Sequence, residues 1–282
     1  MSDPDEQRAS QRESWEQAAA GWGRQREMFQ RFAMPVSRWL IDAARLQPGH
    51  RVLELAAGPG DTGMLAAELI EPGGTLICSD VAEPMLDVAR TRASELGVQN
   101  VEFKIIDVEW IDEPAASLDA VLCRWGFMFA ADHGAAFRET RRVLRPGGRV
   151  ALAAWDDPER NSWWVELGAE MLEQGLTGPP EPGSPGPFTL ARPGHLQELL
   201  DGAGFTDVEV TALDLQWVYD SFDSYWEATK DLSRALGRAL ELTDERGARA
   251  LEDAMRARFA RFVGEDGALR LPARPLLATA EA

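Results

Sequence analysis

The chain has 282 residues, 45% of them hydrophobic and 27% charged, enough to bury a large core as one generous α/β domain or one domain with a helical insertion. Its 29 basic and 47 acidic side chains leave a formal net charge of −18, which repels phosphate backbones and anionic membrane surfaces and argues against a nucleic-acid substrate. No apolar run approaches the ~18 residues of a membrane span, and the opening stretch MSDPDEQRASQRE has neither a basic start nor an apolar segment, so a cytoplasmic protein is expected.

Residues 11–45 place Trp15, Ala18, Ala19 and Trp22, then after a break Phe29, Phe32, Val36, Trp39 and Leu40, at helical spacing. Pro48-Gly49 marks a turn. From 51 to 155 short apolar runs alternate with amphipathic stretches. They predict strands at 51–57, 75–80, 101–107, 118–125 and 149–155, with helices at 61–70, 84–96 and 133–144. Residues 107–118 are too polar and proline-broken for a helix. Such alternation means a parallel sheet covered on both faces.

Past Trp155 the pattern changes. Residues 159–174 read as a helix, and 178–187 (GPPEPGSPGP) as a loop expected to move or to span a cleft. A helix at 193–203 closes at Gly204, a strand follows at 205–215, and 222–263 is a second helical block. Residues 268–279 read as a closing strand whose Pro272 and Pro275 predict short or edge pairing. Cys78 and Cys123 sit in apolar runs as small core residues. His50, His133 and His195 are far apart and lack metal-ligand spacing, so no metal is expected.

The sharpest feature is the first strand and its turn, Val52 to Gly63, where Gly58, Gly60 and Gly63 satisfy the dinucleotide pattern GxGxxG. Asp80, ending the second strand, is the carboxylate that such folds place on ribose hydroxyls. Charge separates the candidate ligands. A pyrophosphate would lie on the helix N-terminus, but Asp61 stands there and Glu54 adds a second negative charge near the loop. S-adenosylmethionine (SAM) has no phosphate and carries a sulfonium and an ammonium group, which suit acidic surroundings. A plain helix cap is the other role open to Asp61, and the two are compatible.

These segments, taken in order, resemble the class I SAM-dependent methyltransferases, particularly the small-molecule branch typified by the ubiquinone/menaquinone-biosynthesis enzymes. ELAAGPG (54–60) is similar to the family's ExGxGxG motif, with Ala56, still a small residue, in place of the first glycine. SDVAEPML (79–86), IIDVEW (105–110), LDAVLCRWGFMF (118–129) and RRVLRPGGRVALAAW (141–155) resemble the segments that follow. The resemblance covers 50–155 strongly and the flanks loosely.

It implies an α/β, Rossmann-like fold: a seven-stranded, mostly parallel sheet with the last strand antiparallel, helices on both faces and a helical cap. It also implies SAM as cofactor, held by Glu54, Ala56, Gly58, Gly60, Asp80, Val81, Met85, Asp107, Val108 and Arg124. Asp80 would take the ribose hydroxyls, Met85 would lie against the adenine, and Asp107 with the Val108 backbone would face its amino group. The expected organisation is a cap segment at 1–49, a SAM-binding core at 50–155, and at 156–282 the rest of the sheet with cap insertions.

Methyl transfer is an in-line displacement with a neutral leaving group, and positioning alone can lower its barrier by roughly 7–11 kcal/mol. A hydroxyl acceptor would gain from a general base, yet the sequence singles none out. His133 reads more readily as a surface residue at a helix N-terminus than as a base, and His195 sits in the segment expected to move. Arg124 could orient an anionic acceptor or pair with a carboxylate. Trp22, Trp125, Trp155, Trp163, Trp164, Trp217 and Trp226 fall in segments that should flank the cleft, which points to a small apolar or aromatic acceptor; the accepting atom is not readable from the residues, and oxygen or carbon is the expectation. The cap, residues 11–45, 156–192 and 221–263, would enclose it. The expected assembly is a monomer or homodimer. The alternatives are an NAD(P)-dependent oxidoreductase, although neither tyrosine has a lysine four residues on, and a non-catalytic SAM-binding module.

Overall fold

The computed structural model describes residues 4–179 and 184–282, so the centre of the 178–187 loop lies outside the described residues. Its first element corrects the expected pair of broken helices. Pro4–Ala44 is one helix, α1, with Pro35 inside it. Proline removes one intrahelical hydrogen bond, but Pro35 stands on the exposed side while Ala33, Val36 and Leu40 bury completely. That burial, partly against the sheet, outweighs one lost bond and carries the helix through.

The apolar runs that follow form β1 (Arg51–Leu55), β2 (Thr75–Asp80), β3 (Val101–Ile105), β4 (Leu118–Arg124) and β5 (Leu144–Trp155), all paired in parallel. α2 (Asp61–Leu69), α3 (Glu83–Leu96) and α4 (His133–Val143) link them, and β3 runs to β4 without a helix, as expected. Leu53, Leu76, Ile77, Val121 and Leu122 are fully buried, because both faces of a parallel sheet are covered.

The C-terminal half adds α5 (Ser162–Glu173), α6 (His195–Gly202), β6 (Thr206–Ala212), β7 (Leu215–Tyr219), α7 (Phe222–Leu232), α8 (Arg234–Glu241), α9 (Glu245–Phe259), β8 (Leu269–Ala273) and β9 (Pro275–Glu281). β9 inserts antiparallel between β5 and β6 and completes a seven-stranded sheet of order β3-β2-β1-β4-β5-β9-β6. The expected single closing strand is therefore two strands: β8 pairs over a short stretch in a two-stranded ribbon, in keeping with its proline, whereas β9 is interior to the main sheet. Pro275 is tolerated as the first residue of β9, and Pro272 falls in a separate two-stranded ribbon, opposite Gln216 of β7.

α7 packs on α1, α8 and α9, α5 on α9 and β8, and β7 on α1 and α7. Arg258 ties α9 to Glu166, Glu170 and Glu173 of α5. α7 meets α1 where Asp231 receives Arg24 and, at 2.7 Å, the Gln25 amide. Gly21 makes that crossing possible, because a Cβ there would overlap the Asp231 carbonyl. Gly21→Ala is expected to cost about 1–3 kcal/mol through forced separation of the two helices. Thermal denaturation should show a melting point lower by several degrees; an unchanged one would mean that α1 slides off α7 freely. Among the described residues no helix is long and apolar enough to cross a membrane.

Candidate active site

At the carboxyl end of β1 the chain turns through Ala56–Gly60 into α2. The turn is held from below: Ala57 N donates to Ser79 O at 2.8 Å, Ser79 Oγ to Glu54 O at 2.7 Å, and Gly60 N to Ala57 O at 2.9 Å. Asp80 fixes its outer edge, with Oδ2 accepting from Gly58 N at 2.9 Å and Oδ1 from Ala82 N at 3.0 Å. Gly58 and Gly60 have φ of 54° and 82°, and a Cβ at Gly58 would meet nothing within 4 Å, so bare backbone faces open space.

Ala56 also has a positive φ, 50°, and so does Trp125 at the end of β4, 62°. The left-handed region costs an L-residue roughly 1–2 kcal/mol, so the departure of Ala56 from glycine is a matter of conformation rather than size. Both strained residues line one cavity of about 310 Å³, and strain of this kind clusters at functional sites. Their neighbour Gly126 is constrained in turn: a Cβ there would lie 2.5 Å from Ala56 Cβ and 2.8 Å from Cys123 Sγ. Gly126→Ala should cost about 1–3 kcal/mol, and Ala56→Gly in the same chain should recover part of it. Denaturant titrations of the four proteins test this; strictly additive effects would show that the two residues do not press on each other.

One wall of the cavity comes from the sheet. Ala56, Gly58, Asp80, Val81 and Met85 stand at the β1 and β2 ends, Asp107 and Val108 follow β3, and Arg124 ends β4. Asp107 Oδ1 accepts from Glu109 N at 2.9 Å. Glu109, also on the wall, receives Ala131 N at 2.6 Å and the Arg8 guanidinium at 2.7 Å, which clamps the start of α1 over this end. The opposite wall comes from the cap: Trp15, Trp22 and Phe29 of α1, Trp163 and Trp164 of α5, Trp217 and Tyr219 of β7, and Tyr225 of α7. Trp125 and Trp155, from the sheet ends, stack at 4.5 Å between the two walls.

Eight of the ten residues singled out from the sequence thus meet on the sheet-side wall, and Glu54 and Gly60 do not reach it. Gly60 is the left-handed N-cap of α2. Glu54 is buried behind the turn, beside Gly63, and burial pushes its carboxyl up to about 8, with the Arg124 cation and the Gly63 amide pulling it back and Asp61 and Asp80 adding to the rise. Such a carboxyl holds its proton far more readily than an exposed one, which weakens the second negative charge expected near the loop.

Asp61 is the first residue of α2 rather than its cap, is buried off the cavity wall, and pairs with Arg92 at 3.3 Å. Its charge is compensated, and the choice of ligand does not rest on it. The acidity facing the cavity comes from Asp80, Asp107 and Glu109.

Among the described residues the Arg124 guanidinium has only the Ser37 hydroxyl, at 3.4 Å, as hydrogen-bond partner, and it lies 5.3 Å over the Phe29 and Trp125 rings. Neither candidate base reaches the wall. His133 Nε2 lies 3.2 Å from Thr189 Oγ1, its ring is 6.5 Å from that of His195, and burial pushes its pKa down. Trp226 is core, stacked on Phe222. Of the 178–187 loop, Gly186 N donates to Met128 O at 3.2 Å and Pro187 reaches the cavity.

The sequence reading missed Phe29, Tyr219 and Tyr225 as wall residues, and placed no strand at 215–219. The signal was there: Leu-Gln-Trp-Val-Tyr alternates, with Trp217 and Tyr219 buried and Gln216 and Val218 exposed. Among the described residues no cluster of side chains could hold a metal ion.

Comparison with known proteins shows what the chain is similar to. Residues 52–148 match the family described as methyltransferase domain. The chain is 32% identical over 122 residues to the ubiquinone/menaquinone biosynthesis C-methyltransferase UbiE of Cellvibrio japonicus, covering 43% of this chain and 49% of that protein. It is 28% identical over 225 residues to the nocamycin O-methyltransferase of Saccharothrix syringae, covering 72% and 80%. The chain thus spans about half the length of the first relative and most of the second. Its fold is similar to that of the YcgJ protein from Bacillus subtilis, with a TM-score of 0.59 at 20% identity over 87% of this chain and 97% of the other. With the ordered motifs, the strand order and a cradle at the β1 turn all in place, residues 52–148 form a methyltransferase domain in a chain similar to the class I SAM-dependent enzymes.

Proposed function

We propose that the chain transfers the methyl group of SAM to a small, largely apolar or aromatic molecule enclosed beneath the cap. One observation carries this: a single cavity is walled on one side by the glycine turn and strand ends and on the other by the cap aromatics. The residues present fit the cofactor. Gly58 offers bare backbone to open space, Asp80 a carboxylate for ribose hydroxyls, and Met85, Ile106 and Val108 an apolar bed for the base. Asp107 lies beside them as an acceptor for an amino group.

Bound there, SAM supplies an electrophilic methyl on a sulfonium whose departure leaves a neutral thioether. The protein's part is to hold the two molecules in line and exclude water, and positioning of this quality lowers a barrier by roughly 7–11 kcal/mol. The cap segments, from 1–49 and 156–282, close over the core of 50–155 for that purpose. No histidine is needed at the reacting atoms. In this proposal the accepting atom is oxygen or carbon, and the protein works in the cytoplasm as a monomer or homodimer, which sedimentation equilibrium distinguishes.

Calorimetric titration with SAM, S-adenosylhomocysteine and NAD, then mass-spectrometric detection of S-adenosylhomocysteine formed with a metabolite panel, tests the assignment. Uptake of both sulfur nucleosides and turnover with an apolar acceptor is expected. Tight binding of NAD with none of SAM would overturn it.

A further inference from the structure

The charges on the cavity wall run against the character of the whole chain. The chain has 29 basic and 47 acidic side chains. Among the described residues, the wall holds four arginines, Arg8, Arg12, Arg124 and Arg234, against three carboxylates, Asp80, Asp107 and Glu109. Arg8 and Glu109 neutralise each other at 2.7 Å. Arg12, Arg124 and Arg234 form no salt bridge among the described residues, and a charge withdrawn from water without a partner is costly.

Bound SAM does not use these cations up. Its sulfonium and ammonium are matched in number by Asp80 and Asp107, and its single carboxylate by one arginine. Arg124 stands nearest the glycine turn for that purpose, since β4 pairs with β1 as far as Leu55 and Cys123. Arg12 and Arg234 are left over.

These two meet at one corner. Arg234 opens α8, and its guanidinium reaches across to α1, where Cζ lies 4.8 Å from the centre of the Trp15 ring. Trp15 lines the same cavity, so the charged end of Arg234 stands at the cavity itself. Arg12, which is exposed, precedes Trp15 by three residues on the same helix and so is its neighbour on that surface. Burial pushes the Arg234 guanidinium down and no carboxylate holds it up, whereas Arg24, bonded to Asp231, is raised. The ring contact leaves its N–H donors without acceptors.

The backbone at this corner has the same sense. Ser233, Arg234 and Ala235 all line the cavity, so the amino end of α8 opens on it. Ser233 Oγ accepts from Leu236 N at 3.3 Å, and the first amides of a helix have no acceptor inside it. Such an end favours an anion.

Resting on the assignment of this cavity to SAM and its acceptor, we infer that the acceptor carries a carboxylate, which the Arg234 guanidinium and the amino end of α8 bind, with Arg12 adding charge from α1. Its apolar body lies among the cap aromatics. A neutral or cationic molecule of the same shape leaves both guanidiniums uncompensated. The net charge of −18 repels an anion at long range, but salt screens exposed charges beyond about 8 Å, and a local pair of cations then decides.

The test uses the full chain saturated with S-adenosylhomocysteine and three probes of similar shape: 2-naphthylacetate, 2-naphthylacetamide and 2-(2-naphthyl)ethylammonium. Calorimetry is expected to rank the carboxylate about tenfold above the amide, with the ammonium weakest. Arg234→Gln should bring the carboxylate down to the level of the amide, leaving the affinities for amide and S-adenosylhomocysteine in place. Arg234→Lys, which restores the charge without the planar fork, should recover part of the loss. Arg12→Gln, at an exposed position, should weaken the carboxylate severalfold and serves even if the Arg234 variants fail to fold.

With S-adenosylhomocysteine bound to the parent protein, four results overturn the inference alone. They are equal affinities for carboxylate and amide, tightest binding of the ammonium, no binding of the carboxylate at millimolar concentration, and a carboxylate preference that survives in every variant that folds. A loss of S-adenosylhomocysteine affinity in Arg234→Gln as large as that of the carboxylate would give this cation to the cofactor and overturn it too. Failure of the parent to bind S-adenosylhomocysteine overturns the assignment of the cavity and the inference with it.

Discussion

Asp80→Ala is expected to weaken SAM binding at least tenfold. The carboxylate has two tasks in this structure: it accepts from Gly58 N and Ala82 N, which sets the edge of the turn, and it faces the cavity where ribose hydroxyls would lie. A hydrogen bond to a charged group is worth about 1.5–3 kcal/mol, and a tenfold loss corresponds to about 1.4 kcal/mol. Alanine removes the bond to ligand and the clamp on Gly58 together, so the loss should exceed what the ligand contact alone predicts. Asp80→Asn, which keeps the shape but only one acceptor oxygen, should fall between.

Burial pushes the Asp80 carboxyl above the usual aspartate range, and the backbone N–H groups of Ala82, Gly58 and Val81 draw it back. Since the ionised form is the better acceptor, affinity should fade on the acid side at a higher pH than an exposed aspartate would give. Calorimetry across pH, with melting points taken in parallel, checks both statements. An affinity in Asp80→Ala equal to that of the parent at unchanged stability would remove Asp80 from the site.

The core was legible because its physics is local. Buried parallel strands are continuous apolar runs, and Gly, Pro and Asp punctuate them, so β1, β2 and β4 fall within a residue or two of their expected bounds. The cap was less so. A helix carried through Pro35 depends on what the far side buries, and an interior β9 depends on pairing with β5 and β6, neither of which spacing reveals. The tryptophans were found by type, and their partition between wall and core, Trp217 against Trp226, is a tertiary outcome.

Electrostatics was the least legible part, since a formal charge near the loop says nothing of its titration. Yet Glu54 stands in Val-Leu-Glu-Leu-Ala, a run apolar on both faces, and that context alone forecasts a carboxyl taken out of water.

Glu54 therefore sets the second large expectation, a pH dependence of stability that one substitution removes. Its folded value is raised from 4.5 to about 8, with burial the main cause. Below about pH 4.5 both folded and unfolded chains hold the proton, and Glu54 leaves stability unaffected. As pH rises toward 8 the unfolded chain releases the proton while the folded one keeps it, so stability falls by about 1.4 kcal/mol per pH unit. Above about 8 the folded chain releases it too and the slope ends. Glu54→Gln cannot titrate and keeps an oxygen that can accept from the Gly63 amide.

Between about pH 5 and pH 8 the variant should therefore gain roughly 3–4 kcal/mol over the parent. The difference between the two proteins isolates this group, because Asp61, Asp80, Arg124 and Cys78 around it are present in both. Denaturant titrations at a series of pH values measure it. A difference that stays flat would mean that Glu54 is ionised in the folded protein, held by Arg124, and the turn would then carry the negative charge that its sequence suggests. A rising difference means that Glu54 is protonated in the folded protein and leaves the Arg124 charge less compensated beside the cavity, since a neutral carboxyl attracts it far less than a carboxylate would.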